Sequence, residues 1–356
     1  MPGRRIAWTP ASNGGRTAPG RVISDAEAVL FAGVRLFDGE RLVDGPTDVA
    51  VALGTVLGVG DGLSLAGSGE VTTIEGGWLF PGFVDAHVHL SMSEPEAVAA
   101  GGVTGVLDLG SPLRYAFAAH PPIRFAAAGP LITARRGYPT TSWGANGYGL
   151  EVNDPEQAAD AVALLADGGA AMIKFAIEPR GGPVLDGATL RSVVDAAHAR
   201  GLKVAAHALA VDAVAQALEV GADVLAHTPV ERLPGDLVAA LGAAGVHVIS
   251  TVRAFGDSPD ARANVAALAD AGCVVAYGTD LGNGAIRPGI DPDELAILDE
   301  ALSGRDRALA AATSVSGALA GHGGRIADGA PADLVWVPRF ESYDDLRRGA
   351  HVFIGS

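Results

Sequence analysis

Residues 81–90 read Pro81-Gly82-Phe83-Val84-Asp85-Ala86-His87-Val88-His89-Leu90. The apolar run predicts a strand, and side chains two apart on a strand share a face, so His87 and His89 project the same way. One His-x-His pair is weak evidence for a metal, and its surroundings decide. From about Gly77 to Gly321, strand-like and helix-like runs alternate. The strand candidates are FVDAHVH, TGVLDLG, IRFAAAG, AMIKFAI, KVAAHA, VLAHT, VHVIST and VVAYGTD. Eight such runs separated by helical stretches predict a closed (β/α)8 TIM barrel.

Helix-start signals agree. Asp154, Pro155 and Gln157 supply an N-cap, a first-turn proline and a capping-box partner for a helix reaching about Asp167. Ser258-Pro259 begins another. Residues 131–153, rich in Gly, Pro and aromatic side chains, read as a long loop over the catalytic end of the barrel, a lid that shapes the substrate pocket.

In that register Lys174 lies near the end of the fourth strand, His207 the fifth, His227 the sixth and Asp280 the eighth. With His87 and His89 they place six polar groups at one mouth. Imidazole and carboxylate suit Zn²⁺ and related divalent ions, whereas an ammonium does not. Carbamylation of Lys174 by carbon dioxide would remove its positive charge and supply two oxygens, enough to bridge two cations. Burial in the apolar run MIKF disfavours a charged lysine. The other reading is an unmodified lysine that binds substrate or pairs with a carboxylate.

Outside the barrel, residues 28–75 contain the apolar runs AVLFAGVRLF, DVAVALGTVLGVG and VTTI, divided by turn signals, and read as a small β-domain. The tail has a similar texture in ADLVWVP and HVFIGS. The balance of 25 Lys+Arg against 41 Asp+Glu gives a formal charge of -16, which argues against nucleic acid or an anionic membrane as partner and leaves a small-molecule substrate. Cys273 is the single cysteine, so an internal disulfide and a cysteine metal cluster are both excluded. The first twenty residues have no continuous apolar stretch and no later run is long enough for a span, so a cytoplasmic protein is expected. An exposed apolar barrel helix would be the contact for a homo-oligomer. The glycine-rich stretches match neither GxxxxGK[ST] nor a GxGxxG between a first strand and its helix.

From the β-domain runs through HVH to the tail sequence GRIADGAPADLVWV, the chain resembles the amidohydrolase superfamily. The resemblance implies a composite β-sandwich of residues 25–76 and 324–356 around a barrel of 77–323, preceded by a flexible arm, 1–24. Within the superfamily the chain looks most like imidazolonepropionase-related and prolidase-like members, in which a MIK segment supplies a carbamylated bridging lysine. By that similarity His87, His89 and Asp280 bind the more buried of two divalent ions, His207 and His227 the more exposed, and Lys174 both. Imidazolonepropionase looks mononuclear and lacks this lysine ligand, which shifts the expected reaction to hydrolysis of an amide or peptide-like bond, as in an N-acyl amino acid or dipeptide.

Two such ions would lower the pKa of a bridging water and polarise the substrate carbonyl, while Asp280 takes the proton and passes it to the leaving nitrogen. Arg253, just past the seventh strand, either pairs with a substrate carboxylate or forms a salt bridge to a loop acid. Arg135, Arg136 and Tyr138 lie in the long loop, where Tyr138 would donate to the developing oxyanion and Trp143 would wall the pocket. A deaminase or cyclic-amide hydrolase is the nearest alternative. A lactonase or phosphoester hydrolase, or a noncatalytic metal-binding protein on the same fold, lies further off.

Overall fold

A computed structural model describes residues 5–8, 28–67, 70–348 and 351–355. Eight parallel strands follow one another: β1 (Phe83–Val88), β2 (Val103–Asp108), β3 (Arg124–Ala127), β4 (Ile173–Ala176), β5 (Val204–His207), β6 (Val224–Leu225), β7 (His247–Ser250) and β8 (Val274–Tyr277). Strands β1 to β3 pair in sequence, as do β4 to β8. The two runs meet at both edges. The Ala171 N–H donates to the Ala127 carbonyl at 2.8 Å between β3 and β4. Between β8 and β1, Val88 bridges Leu281, and the Asp280 N–H donates to the His87 carbonyl at 2.8 Å. The fold is of TIM-barrel type, on the eight strands expected.

These strands are buried on both faces because side chains fill the interior and helices cover the outside. Small residues dominate the interior, where Ala86, Ala205, Ala226 and Ala276 pack with Leu107, Met172 and Ile249. The helix Gly187–His198 buries Leu190, Val193, Val194 and Ala197, the one-sided spacing of an amphipathic helix, and joins the cluster around Phe175 and Val204. Two expected helices form as Pro155–Asp167 and Pro259–Asp270. Their first turns are capped by Asp154, which accepts from the Gln157 N–H at 2.9 Å, and by Ser258, which accepts from the Ala261 N–H at 3.1 Å.

The stretch 131–153 differs from the expected loop. Leu131–Ala134 and Gly149–Val152 are short strands, parallel to each other, and Ile132 pairs with Phe175 of β4. The four residues of LITA are buried, and pairing is how their main-chain polar groups are satisfied away from water.

Both chain ends contribute to one mixed sheet. Its order is His351–Phe353, Leu334–Val337, Trp78–Pro81, Ala28–Phe37, Leu42–Ala52 and Thr55–Gly60, with Val71–Glu75 also pairing Ala28–Phe37. Val29, Phe31, Leu36, Val49, Leu79, Leu334 and Phe353 make its core. The chain then passes into β1 through Gly82, where a Cβ would collide with the Thr104 side chain. The expected arm, 1–24, lies outside the described residues except for Arg5–Trp8, a strand paired with Ser64–Gly67. Among the described residues no helix is long and apolar enough to cross a membrane.

Candidate metal centre

His87 lies in β1 and His89 just beyond it, and both are fully buried. Each ring is fixed from behind. His87 Nδ1 lies 2.7 Å from the Ala226 carbonyl and His89 Nδ1 lies 2.7 Å from the Gly110 carbonyl. A carbonyl only accepts, so each Nδ1 carries the proton and each Nε2 presents a lone pair to the mouth. Glycine lets the rings sit so close to the backbone: a Cβ at Gly110 would lie 2.8 Å from His89 Cε1.

Asp280 follows β8 in a left-handed conformation with φ 55°. Single residues of this kind concentrate where a site needs them, and aspartate tolerates the strain better than most. Asp280 Oδ1 lies 3.4 Å from His87 Nε2 and 3.2 Å from His89 Nε2, while Oδ2 accepts from the Asn283 side chain at 2.9 Å. Burial alone would raise the pKa of Asp280, but the facing His87, His89 and Lys174 outweigh it and hold the carboxyl well below the usual range. Burial, reinforced by Lys174, pushes His87 well below the ordinary imidazole value. Two imidazole nitrogens and a carboxylate oxygen thus converge, and Oδ1 has no hydrogen-bond partner. This donor set fits a divalent cation.

The other three expected ligands face the same mouth. Lys174 is buried in β4 with Nζ 2.9 Å from His87 Nε2. Burial depresses its pKa to about 8. His207 ends β5, and its Nε2 is buried without a hydrogen-bond partner. His227, just past β6, lies with its ring 4.5 Å from that of His87 and its Nδ1 3.1 Å from the Thr251 hydroxyl. Burial pushes His227 well below the ordinary value.

The tentative substrate residues separate into two groups. Tyr138 stacks on His207 at 4.5 Å, Trp143 packs edge-on against His89 at 4.8 Å, and the Trp143 indole N–H donates to the Tyr138 hydroxyl at 3.1 Å. Both are therefore brought to the histidines. Arg135 and Arg136 are exposed, and among the described residues no hydrogen bond or ion pair joins them to the cluster. Arg253 pairs with Asp293 at 3.2 Å and lies 3.8 Å from Asp291, the salt-bridge alternative. It lines a charged cleft of about 570 Å³ with Arg287, Asp291 and Arg347, which none of the site histidines reaches.

Sequence reasoning missed the residues that hold the ligands in place. Asp85 accepts from the His87 and Thr279 N–H groups, both at 3.0 Å, and from the Thr279 hydroxyl at 2.5 Å, tying β1 to the segment carrying Asp280. Burial raises Asp85 to about 7. Asp108 accepts from the Leu90 and Gly110 N–H groups at 2.8 and 2.9 Å. Glu178 was missed as well, with Oε2 3.5 Å from His207 Nε2. Asp85 stood in the quoted motif two residues before His87, the one signal that was available. Phe255, 4.8 Å from His227, and Tyr148, whose hydroxyl lies 2.8 Å from that of Ser91, complete the aromatic rim.

Against known proteins, the amidohydrolase family matches residues 78–355. A dihydroorotase of Trichlorobacter lovleyi is 33% identical over 88 residues, which cover 22% of this chain and 21% of the dihydroorotase. The chain thus matches about a fifth of that relative's length. Solved structures similar to this one include a prolidase complexed with N-methylphosphonate-L-proline, at TM-score 0.73 and 21% identity over 91% of this chain and 97% of that one. A Xaa-Pro dipeptidase with bound methionine in its active site aligns at TM-score 0.72 and 19% identity, over 92% of this chain and 100% of that one. At these identities the structural likeness is one of fold.

Proposed function

The chain belongs to the amidohydrolase family of C–N bond hydrolases, and on that premise we propose that it hydrolyses a small amide or peptide-like bond at a centre of two divalent ions, zinc by preference, bridged by carbamylated Lys174. The observation that carries the reading is the convergence of His87 Nε2, His89 Nε2 and Asp280 Oδ1, all buried, beside a buried lysine that points at the same imidazole. His87, His89 and Asp280 would hold the inner ion and His207 and His227 the outer. Lys174 would reach both through its carbamate oxygens. An ammonium 2.9 Å from His87 Nε2 would instead occupy the lone pair that an ion needs, so an ion held there requires Lys174 to move or to be modified. When bound, such ions supply Lewis-acid polarisation of the carbonyl and acidify water near neutral pH.

The remaining chemistry belongs to the chain. Asp280, ionised at neutral pH, accepts the proton released by the attacking water and returns it to the leaving nitrogen, yielding a carboxylate and an amine. Asn283 fixes its second oxygen. Tyr138 uses its hydroxyl oxygen to accept from Trp143, so its own proton is free to meet the carbonyl oxygen as negative charge develops there. Burial pushes its pKa up, keeping the phenol protonated. Trp143, Tyr148 and Phe255 give an apolar rim suited to a small acyl or side-chain group. The prolidase and dipeptidase folds are consistent with N-acyl amino acids and dipeptides as the substrate class. We also read the terminal sheet with the paired strands 5–8 and 64–67 as a composite β-sandwich domain, and the whole as a cytoplasmic enzyme.

The test is product analysis. Protein loaded with zinc in the presence of bicarbonate is incubated with a panel of dipeptides, N-acyl amino acids, cyclic amides and amino-purines or amino-pyrimidines. A new carboxylate with a new amine supports the proposal. Release of ammonia replaces it with a deaminase, and ring opening without a departing amine replaces it with a cyclic-amide hydrolase.

A further inference from the structure

The charged cleft of about 570 Å³ is walled by three separate parts of the chain. Arg253 comes from the short turn after β7, Arg287, Asp291 and Asp293 from the segment that follows β8, and Arg347 from the helical turn Asp345–Arg348. With Asp344 the lining holds three guanidinium groups and three carboxylates, a balance that suits neither a polyanion nor a polycation. Within it the two signs are unevenly matched. On one side, Arg347 donates to the neutral carbonyls of Pro288 at 3.0 Å and Ile290 at 3.5 Å. Arg287 beside it is exposed and has no ion pair or hydrogen bond among the described residues. On the other side, Arg253 is shared by two carboxylates, Asp293 at 3.2 Å and Asp291 at 3.8 Å. Asp291 Oδ1 is already engaged, accepting from the Asp293 and Glu294 N–H groups at 2.9 and 3.2 Å, whereas the Asp293 side chain is 69% exposed. Positive charge is therefore left over at Arg287 and Arg347, and negative charge at Asp293.

We propose that this cleft is a binding site, separate from the metal centre, for a small zwitterion of amino-acid type. Its carboxylate is taken by Arg287 and Arg347, whose guanidinium forks match that shape, and its ammonium by the Asp293 carboxylate. No aromatic side chain lines the cleft, so affinity comes from paired charges near the surface and falls as salt is added. Two segments join the cleft to the metal centre. Phe255, which packs against His227, ends the turn that begins at Arg253, and Asn283, which donates to Asp280, shares a loop with Ala285 and Arg287. A zwitterion held between Arg287 and Asp293 thus steadies the loop that carries Asn283. The assignment concerns binding and does not depend on which bond the metal centre hydrolyses.

The test uses the full chain and γ-aminobutyrate, a zwitterion with no amide bond to cleave, beside butyrate and butylamine, which each keep one of its charges. Calorimetric titration at low ionic strength gives the affinities, and hydrogen exchange locates the ligand. The zwitterion is expected to bind at least about fivefold more tightly than either analogue, and Arg287→Gln and Asp293→Asn each to weaken it about fivefold. Exchange should slow within residues 285–293 and 344–347 and stay unchanged within 137–148, beside the histidines. Both substituted side chains are exposed, so neither change is expected to cost the fold, and thermal unfolding of the variants verifies it. Butyrate binding as tightly as γ-aminobutyrate overturns the zwitterion assignment and makes the cleft an anion site. Absence of binding, or binding that survives both substitutions and protects 137–148 instead, overturns the site itself.

Discussion

At the seam of β8 and β1, His87 and His89 are each fixed through Nδ1 by a main-chain carbonyl, whereas across the mouth His227 rests on the Thr251 hydroxyl and His207 against the face of Tyr138. The carboxylates differ likewise. Asp280 is buried, strained at φ 55°, and tied to β1 through the His87 carbonyl, while Glu178 sits on a short loop after β4 with 15% of its side chain exposed. Main-chain anchors cannot rotate away without breaking the barrel, but a hydroxyl or a stacked ring can. On the proposed two-ion reading, the inner side would hold its ion in one geometry, and the outer side would yield as substrate enters and product leaves.

The sharpest way to break this contrast is Asp280→Asn. On the proposed mechanism it removes a ligand and the proton carrier together, so turnover should fall by at least about 10³-fold with little change in KM. A loss below tenfold would show that the proton travels by another group. Next comes Lys174→Ala, expected to weaken the second ion and to lower turnover by about 10²-fold or more. Zinc content and kcat measured on the same preparation decide it, since undiminished turnover with two ions would remove the lysine from the site.

The pH dependence of activation is a third lever. Carbamylation consumes the neutral amine, and Lys174 is depressed to about 8, so the reactive fraction grows as pH rises and levels off above that value. At fixed dissolved carbon dioxide, metal-free protein should be carbamylated about 25-fold faster at pH 8.5 than at pH 6.5. A rate still climbing steeply above pH 9 would indicate an ordinary solvated lysine. The smallest expected effect is that of Thr251→Val, which removes the hydroxyl behind His227. It should weaken the outer ion about tenfold and leave the inner one unchanged, as read by chelator competition. Equal weakening of both ions would erase the asymmetry.

Much of this arrangement was legible in the sequence because a barrel strand announces itself by a short apolar run, and its C-terminal end is where chemistry gathers. His87, His89, Lys174, His207, His227 and Asp280 each stood at such an end, and all six face one mouth. What escaped was set by tertiary contact. Asp85 and Asp108 act on main-chain N–H groups at the strand ends, and Glu178 reaches His207 from a loop whose path no periodicity predicts. The strands within 131–153 were hidden for a similar reason, since four-residue runs gain their partners only when Ile132 meets β4. Exposure separated Arg135 and Arg136 from Tyr138, though all three share one short stretch.

The measurement closest to the central claim is an anomalous difference map at the zinc edge from crystals of zinc-loaded protein grown with bicarbonate. Two peaks are predicted, one among His87, His89 and Asp280 and one beside His207 and His227, with continuous density from Lys174 Nζ between them. A single peak, with Lys174 ending at an unmodified Nζ, would contradict the account.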